Sequence, residues 1–434
     1  MGETWAPVGR HTTIRVVLSL SAMLDWEIIN MDVDTAFLYA PVEEEIYTEQ
    51  PKGFEERGPN GEELVCRLNK SLYGLKQSPR NWNQLLDTWF MENGFVVSEA
   101  DPCLYMKFGA GPEKNKTLIV LVYVDDLIVC GDSRLEIEKF KSAISKRFNM
   151  KDLGDLKRIL GMEVKRDRKA STLEITQQTY IETMLKRFGL EDCKPIGLPA
   201  EGDLLRDPNA GPDREYMCLV GSLLYAAMVT RPDIAYAVQV LGRHMQASNK
   251  MHFAAGKRVL RYLQGTKELG LKYGETRAGT KITGYADSDW ASDKDTRRSV
   301  TAYVYTLGGA AVSWTSRLQQ TVALSSAESE YMAASAASQE AIHLRRLLES
   351  LGFKQEGPTV IYDDNQGAIA MTKNPVMHRR TKHIDIRHHF VREAVARGDV
   401  TLVYVPTSEQ AADLLTKALT RATVQRLRPI LLGH

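Results

Sequence analysis

Residues Thr117 to Gly131 read TLIVLVYVDDLIVCG, and the pair Asp125-Asp126 divides the stretch into two apolar runs rich in Val, Ile and Leu. Each run has the length of one buried strand and is short for a helix. The segment is therefore predicted to be a hairpin with two adjacent carboxylates at its tip. Asp is common in turns, so the pair alone fits an ordinary polar turn. Carboxylate oxygens are also the ligands Mg²⁺ prefers, and like charges beside a sheet call for a neutralising cation. The surrounding sequence has to decide between the two.

Working upstream, Glu27 to Val33 (EIINMDV) reads as a strand that carries Asp32 near its end. A helix is expected before it, from about Thr12 to Leu24. After it come a short polar edge strand near 43–51 and another strand near 63–68. Pro79 can open a helix because its missing donor is not needed in the first turn. Trp82, Leu85, Leu86, Trp89 and Phe90 follow at helical spacing and are expected in the core. Residues 101–108 are predicted as a strand beside the hairpin.

Downstream, helices are predicted over 135–148 and 179–188, with a strand pair over 160–166 and 172–176 between them. The stretch 191–213 is rich in Pro, Gly and Asp and marks a break. Helices at about 216–228, 233–245 and 252–263 follow, and a second break falls at 274–279. From there the pattern is three strands (281–289, 299–306, 311–316), a long helix (325–351), and a strand (359–363). Two helices (366–371 and 384–397), a strand (400–405) and a helix over 409–419 complete it. That order implies a mixed five-stranded sheet flanked by helices.

Acids recur at element ends here too: Asp287, Asp364 and Asp413. On the long helix Glu328 and Glu330 are two residues apart and cannot share a face. Glu330 aligns with the apolar stripe of Ala333, Ala337, Ala341, Leu344 and Leu348, and an acid at the head of a buried stripe is costly unless paired or metal-bound. Glu328 is expected to be solvated.

At 434 residues, two or three domains are expected. Hydrophobic residues make up 43% and charged residues 26%, the balance of an ordinary globular protein. No apolar run approaches the length of a membrane span, no signal-peptide pattern is present, and no membrane association is expected. The five cysteines include no Cys-x-x-Cys pair, so neither a zinc site nor a disulfide framework is indicated. The net charge of +1 is neutral on nucleic-acid binding, because a basic stripe can hide in a balanced total.

Taken together, the motifs resemble the reverse transcriptase–ribonuclease H region of copia-type long-terminal-repeat retrotransposon Pol polyproteins. Tyr123-Val-Asp-Asp126 is similar to the polymerase catalytic box, and Met31-Asp-Val-Asp-Thr-Ala-Phe-Leu38 to the first palm motif. Leu72-Tyr-Gly-Leu-Lys-Gln-Ser-Pro-Arg80 resembles the motif that contacts template and nucleotide. Residues 219–225 and 230–234 resemble the connecting region. Tyr285–Trp290, Ser325–Tyr331, Asp363–Gln366 and Ala412–Lys417 are similar to the four ribonuclease H motifs.

The resemblance implies an α+β palm-type polymerase domain with partial fingers over 1–155 and a thumb or connection region over 156–275. An α/β ribonuclease H-like domain with a mixed five-stranded sheet is implied over 280–432. It implies RNA-directed DNA polymerase activity with hybrid-specific ribonuclease activity. The catalytic and metal-binding acids would be Asp32, Asp125 and Asp126 in the palm and Asp287, Glu330, Asp364 and Asp413 in the nuclease. Two Mg²⁺ or Mn²⁺ ions would serve each site. Phe37 would exclude a ribose 2′-hydroxyl; Gln77 and Tyr123 would contact substrate; Lys382 and His383 would hold phosphates of the hybrid.

The implied partners are an RNA template, a DNA primer, an RNA–DNA hybrid and deoxynucleoside triphosphates, with protease and integrase parts of the polyprotein. The implied setting is a cytoplasmic virus-like particle, with entry into the nucleus. The resemblance begins at Glu3-Thr-Trp-Ala-Pro7, downstream of fingers strands whose cations clamp the triphosphate in the family. A weakened polymerase is expected on that ground. The alternative is an element relic with an inactive polymerase and residual nuclease or nucleic-acid binding. Tyr39-Ala-Pro41 and Ala302 also depart from the family pattern.

Overall fold

A computed structural model describes residues 4–109, 117–274, 279–373 and 390–434. The chain forms two compact units, one of Met1–Ile14 with Trp26–Leu156 and one of Arg15–Asp25 with Lys157–His434.

The first unit is built on a six-stranded antiparallel sheet. Its order is Val96–Val97, Leu104–Phe108, Thr117–Tyr123, Asp126–Gly131, Glu27–Val33 and Met150–Asp155. The hairpin predicted at 117–131 forms its middle, because its two apolar runs bury nearly every side chain. Helix Ser78–Glu92 begins with Pro79 in its first turn and buries Trp82, Leu86, Trp89 and Phe90. With Ile137, Phe140 and Ile144 of helix Arg134–Ser145, and with Phe148, they form one core against the sheet. Phe90 stacks on Tyr105 at 4.1 Å, and Trp82 meets Phe148 edge-on at 5.2 Å. Rings at these separations gain beyond their buried area and anchor the helix that borders the hairpin tip.

The second unit contains a four-stranded sheet in the order Leu271–Tyr273, Thr172–Thr176, Met162–Asp167, Arg158–Ile159. Helices Gln178–Arg187, Arg214–Val229, Ala235–Gly242 and Lys250–Gln264 share a core. The irregular stretch 191–213 lies inside this unit, not at its edge. At the centre of the unit Arg231 and Asp233 are wholly buried, paired at 2.8 Å, and Tyr262 donates its hydroxyl to Asp233 at 2.7 Å. A buried pair so fully hydrogen-bonded fixes geometry more than it adds stability.

The same unit holds a mixed five-stranded sheet in the order Ala310–Leu318, Val300–Leu307, Thr283–Asp289, Thr359–Asp363, Val400–Tyr404. The first two pairings are antiparallel and the last two parallel, and helix Ser326–Ser350 lies on the central strands. This is the mixed five-stranded sheet flanked by helices that the order of elements in the sequence implied. Arg15 serves the same unit: its Nε donates to Val312 O at 2.7 Å and its guanidinium lies 4.0 Å from the centroid of Trp314.

One sequence expectation is corrected. No continuous helix covers 409–419; the chain makes 3₁₀ turns at Thr407–Glu409 and Ala411–Leu415. Gln410 is the cause. Its buried amide donates to Ala286 O at 2.9 Å and its carbonyl accepts Ala412 N at 3.3 Å, so a tertiary tie replaces the helical ladder. Beyond the last element read from the sequence, helix Arg421–Leu432 is capped by the Thr420 side chain and carries Pro429 inside it.

Candidate active sites

In the first unit Asp32 and Asp126 are cross-strand partners. Tyr123 pairs with Asp126, which leaves Val124 and Asp125 as a two-residue loop. Val124 has φ +59°, a left-handed conformation that β-branched residues avoid, so this loop is strained. Two bonds hold it: Trp82 Nε1 donates to Val124 O at 2.8 Å, and Val33 N donates to Asp125 O at 3.0 Å. The aromatic core and the neighbouring strand thus aim the tip.

Burial first, then Asp125 and Asp32, push the Asp126 carboxyl up to about 6. Lys151, opposite Asp32 on the edge strand, forms an ion pair with Asp34 and reaches to 3.8 Å from Asp32. Asp34 also accepts Asn149 Nδ2 at 2.9 Å, so its carboxylate is occupied, whereas Lys151 is 3.8 Å from Asp32.

Phe37 sits half-buried on the 3₁₀ turn Ala36–Tyr39 and packs against the core. Its ring lies 4.7 Å from that of Tyr73. Burial, then Asp125 and Asp32, raise the Tyr73 hydroxyl above its ordinary value, which brings Tyr73 into the field of the acids. The sequence reading of Leu72–Arg80 favoured Gln77 and passed over Tyr73. Gln77 takes the N-cap position of helix Ser78–Glu92, and its carbonyl accepts Asn81 N at 3.0 Å. Tyr123 is half-buried at the end of its strand.

In the second unit Asp287 lies on the central strand, Glu330 on the long helix, and Asp363 and Asp364 at the end of Thr359–Asp363. Asp413 stands on the 3₁₀ turn, not on a helix as the sequence suggested. One carboxylate oxygen from each of Asp287, Asp364 and Asp413 lies within 4.8 Å of the other two. Glu330 joins them: burial first, then Asp287, Asp363 and Asp364, push its carboxyl well above its usual value. Burial first, then Asp287, takes Asp413 up to about 7, and burial takes Asp363 up to about 8.

Asp364 Oδ2 accepts the Thr407 hydroxyl at 2.6 Å, and Asp287 accepts the Thr416 hydroxyl. Lys417, which the sequence reading left without a role, lies 2.8 Å from Asp413 and 3.7 Å from Asp287. Its position inside the quoted motif 412–417, one turn beyond Asp413, was the signal available.

Glu328 is not solvated. It is 5% exposed, its Oε2 accepts Leu324 N at 2.8 Å, and its own N–H donates to Ser325 Oγ at 3.2 Å. It caps the helix, in the manner of a capping box. Glu330 is equally buried, yet its Oε2 has no hydrogen-bond partner among the described residues, and neither has Asp363 Oδ2. Buried acceptors left unpaired are costly, and an all-carboxylate donor set suits Mg²⁺ or Mn²⁺. The residues fit a hard divalent cation. Lys382 and His383 lie outside the described residues.

Residues 1–202 match the reverse transcriptase (RNA-dependent DNA polymerase) family. The chain is 43% identical over 429 residues to the retrovirus-related Pol polyprotein from transposon TNT 1-94 of Nicotiana tabacum, covering 96% of this chain and 32% of that protein. It is 39% identical over 435 residues to the Pol polyprotein from transposon RE2 of Arabidopsis thaliana, covering 98% of this chain and 29% of that one. A Ty5-1 transposon protein of Saccharomyces cerevisiae is 33% identical over 314 residues, 70% of this chain and 98% of its own length. The chain thus spans about a third of the length of the plant polyproteins.

Proposed function

Since the chain belongs to the reverse transcriptase family of copia-type transposon Pol polyproteins, we propose that it copies RNA into DNA in its first unit and cuts the RNA of the resulting hybrid in its second. What supports this is a separate convergence of carboxylates in each unit. Asp32 faces Asp126 beside the strained Val124–Asp125 loop, and Asp287, Glu330, Asp364 and Asp413 meet at the five-stranded sheet.

Both reactions are in-line displacements at phosphorus, for which positioning and charge stabilisation supply most of the catalysis. Asp32, Asp125 and Asp126 would hold divalent metal in the palm, and Asp287, Glu330, Asp364 and Asp413 in the nuclease. Divalent cations held there would supply activation of the attacking oxygen and stabilisation of the leaving one. Trp82 and the Val33 backbone keep the tip from turning away under that load. Phe37 backed by Tyr73 forms an aromatic wall near the acids, where it excludes a ribose 2′-hydroxyl. Thr416 and Thr407 hold Asp287 and Asp364 in fixed rotamers, which narrows the positions their free oxygens can take.

The substrates are an RNA template with a DNA primer, deoxynucleoside triphosphates and the hybrid. Among the described residues no helix is long and apolar enough to cross a membrane. Primer extension on an RNA template and cleavage of a labelled hybrid, each with Mg²⁺ and with chelator, test the reading. Cleavage or extension that persists in chelator would remove the metal assignment.

A further inference from the structure

The carboxylate cluster of the second unit contains a cation of its own. One carboxylate oxygen from each of Asp287, Asp364 and Asp413 lies within 4.8 Å of the other two, and Glu330 and Asp363 each add a buried carboxylate oxygen with no hydrogen-bond partner among the described residues. Lys417 is the ammonium the structure brings against them. It meets Asp413, four residues earlier in the chain, at 2.8 Å and approaches Asp287 at 3.7 Å, on the side where Thr416 already donates to Asp287. Its side chain is 31% exposed while those of Asp287 and Asp413 are nearly closed off. The stem is therefore free to carry the ammonium outward while the acids stay in place.

We infer that Lys417 is a displaceable counter-ion that occupies the Asp287–Asp413 edge of the metal site and lowers its affinity for divalent cations until metal drives it out. The inference rests on the metal reading of this cluster. A divalent ion bonded to carboxylate oxygens sits about 2.0–2.1 Å from them for Mg²⁺. An ammonium within ion-pair distance of the same two acids claims that space and repels the incoming charge. Both cannot hold the edge at once. Among the described residues Glu330 Oε2 is buried with no hydrogen-bond partner, and Lys417 acts on it only through its field, so metal entry there meets less opposition than at the Asp287–Asp413 edge. Lys417 thus acts through the acids, as a positioning residue.

The test measures Mn²⁺ affinity by calorimetry on the full chain, in an Asp32→Asn, Asp125→Asn background that removes palm acids. In that background Lys417→Met is expected to bind Mn²⁺ at least tenfold more tightly, and Lys417→Arg to stay close to the parent. Equal or weaker binding by Lys417→Met overturns the inference while leaving the metal reading intact. No binding by any of the three proteins overturns both. If Lys417→Met fails to fold, a Mn²⁺-bound structure of the unaltered chain decides. Lys417 is expected to have left Asp413, and a retained ion pair with metal bound at that edge overturns the proposal.

Discussion

Asp32 and Asp126 face each other in register across two adjacent antiparallel strands, a like-charge pair placed where the sheet would ordinarily select against it. The cost is visible at Asp126, whose carboxyl is pushed up to about 6 by burial and by its two neighbours. Sites arranged for catalysis often carry this kind of unrelieved repulsion.

Asp126→Asn should therefore raise the melting temperature of the metal-free protein, because it removes one charge of the opposed pair. The same substitution should abolish primer extension, as should Asp125→Asn. Extension that survives Asp125→Asn at more than about one per cent of the parent rate, the low end of the loss typical of a removed charge-stabilising group, would show the palm site to be misassigned.

The two glutamates of the long helix should separate cleanly. Glu330→Gln is expected to remove hybrid cleavage without lowering stability, since it removes a buried carboxyl whose charged form burial and the neighbouring acids disfavour. Glu328→Gln should leave cleavage in place and cost about 1 kcal/mol or less, as weakened capping does. Cleavage assays and thermal melts on both variants check this, and a reversed order would contradict the observed bonding of Glu328.

Metal-free protein should lose stability as pH rises. Asp126, Asp413 and Asp363 are pushed up to about 6, about 7 and about 8. A carboxyl whose folded value lies above its unfolded value of about 3.9 contributes stability below the unfolded value and loses it as pH climbs through the folded one. The melting temperature in chelator should fall between about pH 4 and about pH 8. Saturating Mn²⁺ should flatten that slope, because the ion takes the place of the protons. A chelated protein that grows more stable over this window would refute the account.

Phe37→Val should admit ribonucleotides while largely sparing deoxynucleotide addition. Tyr73→Ala should shift selectivity the same way but less, because Tyr73 acts by supporting the Phe37 ring at 4.7 Å. Single-nucleotide incorporation with matched ribo- and deoxynucleotides, beside melts of both variants, tests it. Unchanged selectivity with a stability loss of a few kcal/mol would mark Phe37 as a packing residue instead.

How much of this was legible beforehand depends on the range of the interaction. Strands Glu27–Val33 and Thr359–Asp363 follow the boundaries read from the sequence, and the hairpin at 117–131 and the long helix follow theirs closely. Their signal is periodicity and end chemistry, which are properties of one element. The preference for Glu330 over Glu328 came from the same source, since a stripe repeats along a single helix. The expectation that Glu328 is solvated failed because the stripe says nothing about what encloses the helix N-terminus.

The sequence by itself determined which segments bury and which acids stand near their ends, because backbone geometry converts spacing directly into facing direction. Only the tertiary structure decided that Gln410 bonds to Ala286 and breaks a helix, that Tyr73 lies against Phe37, and that Lys417 enters a cluster of acids. Each of these joins residues through the packing of elements against one another. Such meetings leave no period in the chain, and their energies outweigh the local propensities that a sequence reading can count.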